Sequence, residues 1–188
     1  MIYRRKLILQ AAMLILIVTS GAAGEEYDYS RFSYKTQVFG TIGSATLDSN
    51  DSGLVGGGGV VFRPYPKAGF ELQVRRFNNS QEYISSFDYS RNDDRGTMFT
   101  GTVHYYLNEL RFQPYLLLGG GYGLLHSENI YRSAELEYQS ESDDKTFLLE
   151  AGGGVNIFVT NHLSIRPDVR LTLGVFSVLA SLNVCYHW

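Results

Sequence analysis

Three charged residues occupy alternate positions near the end of the chain: Arg166, Asp168 and Arg170. A period of two puts them on one face of a strand. Three more, Glu71, Arg75 and Glu150, stand opposite apolar positions in earlier segments. Together they are three cations and three anions, a set that satisfies itself if it is enclosed. The competing reading is a solvated charge run on the outside of a soluble sheet. Other residue types offer less chemistry. His104, His126, His162 and His187 are scattered without metal-ligand spacing. The single Cys185 excludes an intramolecular disulfide and a multi-Cys zinc site. Glycine clusters at 56–59, 119–121 and 152–154 would cradle a phosphate only in strand–glycine–helix order, and no helical period follows them. They suit curved strands whose backbones approach closely. The residues nominate no catalytic, cofactor or metal site.

The elements that must position the charged set read as strands. In the segment from Leu163, the residues Leu163, Ile165, Val169, Leu171 and Leu173 share one face, and Ser164, Arg166, Asp168, Arg170 and Thr172 the other. The last segment repeats the pattern, with Val178, Ala180, Leu182, Val184, Tyr186 and Trp188 opposite Ser181, Asn183, Cys185 and His187. Thr146 to Val159, Thr97 to Leu107 and Gly69 to Phe77 alternate in the same way. Pro114 to Leu125, Leu54 to Arg63 and Tyr34 to Ala45 complete eight segments, with their registers open. Alternation over ten or so residues exceeds the usual soluble strand and matches the 9–11 residues of a membrane strand.

Composition agrees. The chain has 188 residues, with 20 Gly, 14 Tyr and 11 Phe but only 4 Pro and 3 Met, which favours strands and turns over a helical bundle. Aromatic residues at 14% argue against disorder, and a net charge of −3 gives no footprint for nucleic acid. Arg4, Arg5 and Lys6 precede an apolar run from Leu7 to Val18, and small residues follow to Gly24. This is the pattern of a secretory signal peptide over 1–24, cut after Gly24 or after Ala23. Removal takes three of the 16 basic residues and none of the 19 acidic ones, moving the formal charge from −3 to −6. Residues 25–32 then form a short periplasmic segment, and 33–188 the strand domain.

Connections alternate in length. Residues 64–68, 108–113 and 160–162 are short and turn-like. Thr46–Gly53, Asn78–Gly96 and His126–Lys145 are longer and polar and are expected as loops. Gly174-Val175-Phe176 is short although it falls on the long side. Short turns at one end and long loops at the other suit an up-and-down barrel of the outer membrane. A soluble barrel would turn its polar face outward. The leader, the strand lengths and the aromatic terminus favour the membrane solution, with the charged set in the lumen. The fold expected is all-β: an eight-stranded antiparallel up-and-down transmembrane β-barrel after a cleaved signal peptide, with a periplasmic N-terminus.

The stretch Phe112-Gln113-Pro114-Tyr115-Leu116-Leu117-Leu118-Gly119-Gly120-Gly121-Tyr122-Gly123, and the run from Glu150 through Asn161-His162 to Arg170, resemble a known family. It is the small outer-membrane β-barrels of Gram-negative bacteria, grouped with the OmpA transmembrane domain and OmpX. The ending Leu182, Val184, Tyr186, Trp188 is similar to the family's C-terminal assembly signal, with Trp where Phe is usual. The resemblance implies contact with outer-membrane lipid and lipopolysaccharide, handling by the barrel-assembly machinery, and a monomer.

It also raises lipid A enzymes of the same architecture. Lipid A deacylases carry His and Ser two apart near the outer end of the seventh strand. Here Val169 to Gly174 has neither, and His126-Ser127 are adjacent, so they point to opposite faces. His104 and His187 are expected as lumen residues sharing hydrogen bonds, and Cys185 as a lumen filler. A narrow, porin-like pore of low conductance is a further alternative, disfavoured because eight strands leave a lumen just filled by side chains. The loops remain. His126 to Lys145 holds Glu128, Glu135, Glu137, Glu141, Asp143 and Asp144 against Arg132 and Lys145, with Tyr131 and Tyr138. The expected role is structural or surface interaction (adhesion or binding of an extracellular ligand) through these loops, without enzymatic activity or cofactor.

Overall fold

The computed structural model describes residues 36–46, 52–84, 88–133, 137–174 and 177–188. The leader expected at 1–24, the segment 25–32 and Glu135 lie outside them. Eight strands run in order: β1 Thr36–Thr46, β2 Ser52–Tyr65, β3 Ala68–Ile84, β4 Asp88–Tyr106, β5 Phe112–Ser133, β6 Glu137–Phe158, β7 Leu163–Leu173 and β8 Ser177–His187. Each pairs antiparallel with the next, and β1 pairs with β8 to close the barrel. Closure leaves no edge strand in the ring, so each strand there has a neighbour on both sides to pair with in place of water.

Faces follow the residue types. On β7 and β8 burial alternates strictly, with Arg166, Asp168, Arg170, Ser181, Asn183 and His187 inside. Large apolar residues point outward: Leu72, Phe99, Leu118, Phe147, Leu171 and Val184 are among them, with Leu118 68% exposed. The registers left open by the sequence resolve as Phe39 and Thr41 inside on β1, Val55 and Val61 inside on β2, and Tyr115 and Leu117 inside on β5. Glycine makes this narrow lumen possible where an inward side chain would strike the next strand. A Cβ on Gly57 would meet the Val74 carbonyl and lie 2.9 Å from the Arg75 Cα. Gly174, at φ 106°, turns β7 toward β8 in a conformation that other residues adopt at a cost.

Two expected loops are corrected. Asn78–Gly96 and His126–Lys145 are largely strand. β3 continues to Ile84 and β4 begins at Asp88, while β5 continues to Ser133 and β6 begins at Glu137. β4 and β5 remain in register from Tyr106↔Tyr115 to Asp88↔Ser133. The period of two was hidden because both faces are polar there. Backbone pairing needs no apolar face when water solvates both sides.

β2 leaves β3 after Leu54↔Asn78, and β7 leaves β6 after Leu149↔Leu173. β3 to β6 therefore rise beyond the ring as a four-stranded sheet. The projecting part of β6 is about 12 residues, or roughly 40 Å of strand at about 3.4 Å per residue.

Candidate functional site

Three surfaces could carry function: the lumen, the outward wall and the projecting sheet. The lumen is layered. Toward the projecting sheet, Ala45, Val55, Phe77, Met98, Leu148 and Leu179 form an apolar cluster. At the other end lie Tyr106, Tyr115 and Leu117, with a further cluster of Phe39, Val61 and Cys185.

Between these layers the structure brings together all six charged residues named above. Glu71 accepts from Arg166 Nη2 at 2.6 Å and from Arg170 Nη1 at 2.8 Å. Arg170 Nη2 donates to Asp168 at 2.7 Å, and Arg75 pairs with Glu150. Arg170 also lies 3.7 Å from Glu150, which joins the two halves of the network. All six are essentially fully buried. β7 supplies three members from alternate positions, β3 supplies Glu71 and Arg75, and β6 supplies Glu150.

Further polar groups surround the network. Gln73 accepts from Arg170 at 3.0 Å, the Tyr115 hydroxyl donates to Asp168 at 3.1 Å, and Ser181 donates to the other Asp168 oxygen. Asn183 donates to the Arg166 carbonyl at 2.8 Å. The Arg166 guanidinium lies 4.4 Å from the Phe39 ring centroid, and its planar charge stacks well on an aromatic face. Of these, Gln73, Ser181 and Asn183 were visible as polar positions on alternating strands. Tyr115 was missed because both faces of β5 are apolar or glycine.

His104 and His187 both face the lumen, each with its own partners. His104 contacts Thr102 at 3.2 Å and stacks on Tyr115 with centroids 4.8 Å apart. His187 Nε2 lies 2.6 Å from Ser164 Oγ, which donates to Asn156 at 2.7 Å. This is a serine–histidine contact, yet its proton is committed elsewhere. Ser164 gives its hydrogen to Asn156 and so accepts from the imidazole, the reverse of nucleophile activation. Both residues are fully buried, out of reach of a lipid. His126 and Ser127 engage different partners, Asp143 at 2.8 Å and Asp94 at 2.6 Å. Among the described residues no group of three His, Cys, Asp or Glu could hold a metal ion.

The wall reads in rungs. On β4 the outward residues are Tyr105, Val103, Gly101 and Phe99, followed by Thr97 and Arg95. Tyr105 to Arg95 is about 34 Å of strand, or about 25 Å along the normal at a tilt near 40°, the height of a lipid-facing apolar band. Aromatic residues mark the lower rim, where Tyr105, Tyr186 and Trp188 are all about half exposed. Leu182, Val184, Tyr186 and Trp188 all point outward, and the Trp188 amide bonds the Thr36 carbonyl at 3.3 Å.

The projecting sheet carries Glu128, Glu141, Asp143 and Asp144 with Arg132, Lys145, Tyr131 and Tyr138. Both its outer strands present open edges among the described residues: Asn79–Ile84 of β3 has no partner on the β2 side, and Glu137–Leu148 of β6 none on the β7 side.

No family model matches the chain, and no curated protein matches it. Solved structures do. The N-terminal β-barrel domain of OprF from Pseudomonas aeruginosa is 13% identical, covering 81% of this chain and 97% of its own, with a TM-score of 0.52. A major outer membrane protein from Thermus thermophilus is 12% identical over 82% of this chain and 98% of its own, with a TM-score of 0.55. Ail, the attachment invasion locus protein of Yersinia pestis, in complex with the heparin analogue sucrose octasulfate, is 14% identical over 81% of this chain and 96% of its own, with a TM-score of 0.51. At these identities the likeness is one of fold.

Proposed function

We propose that this chain, which has the fold of the small outer-membrane β-barrels, is an integral outer-membrane protein of a Gram-negative bacterium that acts as a non-enzymatic surface-interaction platform. Its N-terminus lies in the periplasm, its ring crosses the membrane as a monomer, and its four-stranded sheet stands outside. The observation that carries the reading is the open edge of β6 at Glu137–Leu148. An unpaired strand edge accepts another strand by main-chain hydrogen bonding. The exposed carboxylates Glu141, Asp143 and Asp144 and the half-buried Glu128 around it favour a basic partner segment. Ail, of the same fold, is an attachment invasion locus protein, which supports a binding role for such a scaffold.

The other uses of a small barrel have less support. The lumen is occupied by paired charges between apolar layers, so steady conduction has no route through it. The wall has no Ser–His pair facing lipid among the described residues. Replacing Glu128 to Asp144 with a tight turn tests the reading. The variant should still reach the outer-membrane fraction with its heat-modifiable gel shift and should lose adhesion of expressing cells. Recovery of the parent as a soluble periplasmic species refutes the location. A missing lipid A acyl chain in cells that overexpress the protein refutes the non-enzyme reading, and channel currents in planar bilayers would favour the pore.

A further inference from the structure

Two arginines face outward at the top of the apolar wall. Arg76 shares a rung with Gly56 on β2 and Thr97 on β4, and Arg95 shares the next rung with Asn78 and, beyond it, Leu54. Arg76 and Arg95 are thus diagonal neighbours across β3 and β4, with Cα atoms roughly 7–8 Å apart. Both are exposed, and neither has a salt bridge or side-chain hydrogen bond among the described residues. The contrast with the central lumen network is direct, because Arg75, Arg166 and Arg170 there each meet a carboxylate. Both side chains line one pocket, where two like charges favour an anion between them.

The space for one is present. Leu54, Gly56, Arg76, Asn78 and Arg95 line an open pocket of about 560 Å³ on the outer wall. Its floor is bare backbone, because nothing lies within 4 Å of where a Gly56 Cβ would point. Below it, outward Gly58 and Gly40 share a rung and leave a shallow strip flanked by Val74 and Val184. Height selects the ligand. The rung beneath Arg76 is Val74 and Phe99, the last apolar pair of the wall on these strands. Arg76 and Arg95 therefore sit where the band that touches hydrocarbon ends and the headgroup layer begins.

We infer that Arg76, Arg95 and Asn78 form a binding site for the phosphate of a phosphorylated glycolipid headgroup in the outer leaflet, with one acyl chain lying down the strip over Gly56 and Gly58. The guanidinium fork matches a phosphate in two-point geometry, and the Asn78 amide adds a donor. Lipid packed around the site excludes water and strengthens both contacts. The inference rests on the membrane reading proposed above.

Native mass spectrometry of the purified, folded mature barrel in detergent tests it. Bisphosphorylated lipid A is the probe, with dephosphorylated lipid A, phosphatidylglycerol and inorganic phosphate as comparisons. The parent should retain bisphosphorylated lipid A in preference to the other lipids, and millimolar phosphate should not displace it. Arg76→Gln with Arg95→Gln should weaken retention about thirtyfold, from roughly fivefold per basic residue at an anionic surface. Gly56→Leu should weaken it as well, with both charges still present. Equal retention by parent and double variant, or no preference for phosphate on the lipid, overturns the site and reduces both arginines to ordinary interface residues. Displacement by inorganic phosphate alone overturns the lipid as ligand. Binding in detergent is scored apart from cell fractionation, so failure of the site and failure of the location are separate results.

Discussion

Glu71 receives two arginines, Arg166 and Arg170, at 2.6 and 2.8 Å, while Glu150 receives Arg75 and stands 3.7 Å from Arg170. Removing either carboxylate strands a buried cation, which costs about 3–5 kcal/mol where the partner is fully desolvated. Glu150→Leu should therefore lower stability by that order in denaturant unfolding from micelles, and Glu71→Leu by at least as much. Adding Arg75→Leu to Glu150→Leu should restore most of the loss, because an apolar pair replaces an ion pair without leaving a lone charge. If Glu150→Leu unfolds like its parent, the facing of these strands is wrong.

His126 behaves differently because it is exposed, above the wall. Its hydrogen bond with Asp143 raises its pKa above the ordinary histidine value, with the charges of Asp143, Glu141 and Glu128 acting the same way and desolvation acting against them. A raised value means that the contact with Asp143 is fully present below the ordinary histidine pKa and is lost as pH rises through the value in the folded protein. Titration by NMR should show His126 above about 6.5, and Asp143→Asn should bring it down. A value that does not move in the variant removes the assigned cause.

At the scale of elements, β6 is two objects in one strand. Leu149 to Phe158 is paired on both sides for most of its length, and Glu137 to Leu148 on one side only. Alternate amides of the second part point to open solvent, so hydrogen exchange over 138–148 should show a period of two, with every second amide fast. Uniform protection would mean that something covers the edge. The β7–β8 turn depends on Gly174, where an added Cβ would meet the Phe147 carbonyl. Gly174→Ala should cost about 1–3 kcal/mol in the same unfolding assay, the usual strain of a side chain at positive φ.

The eight crossing segments were legible in the sequence because lipid on one side and a polar lumen on the other impose a strict alternation. Arg166, Asp168 and Arg170 could be placed for the same reason. The projecting sheet was not legible, because Ser, Asn, Glu and Tyr on both faces carry no contrast, and pairing there is decided by the neighbouring strand. The outward pair Arg76 and Arg95 escaped notice for a related reason: Asn78–Gly96 read as a loop, so Arg95 had no face.

At the scale of the molecule, the barrel inverts a soluble protein. Charge lies inside, where it is paired, and exposed apolar residues such as Ile42, Leu72, Leu118, Phe147 and Val184 cover the wall. A monomer with so wide an apolar surface would aggregate in water, and its natural solvent is hydrocarbon. β7 offers the cleanest test because its faces differ most. Single cysteines placed one at a time from Leu163 to Leu173, in a Cys185→Ser background and labelled with a small fluorophore, can be reconstituted into bilayers that carry a brominated-lipid quencher. Strong quenching is expected at 165, 169 and 171 and little at 164, 168 and 172. Quenching with the opposite phase, or with no period of two, would contradict the membrane-facing assignment and with it the outer-membrane barrel.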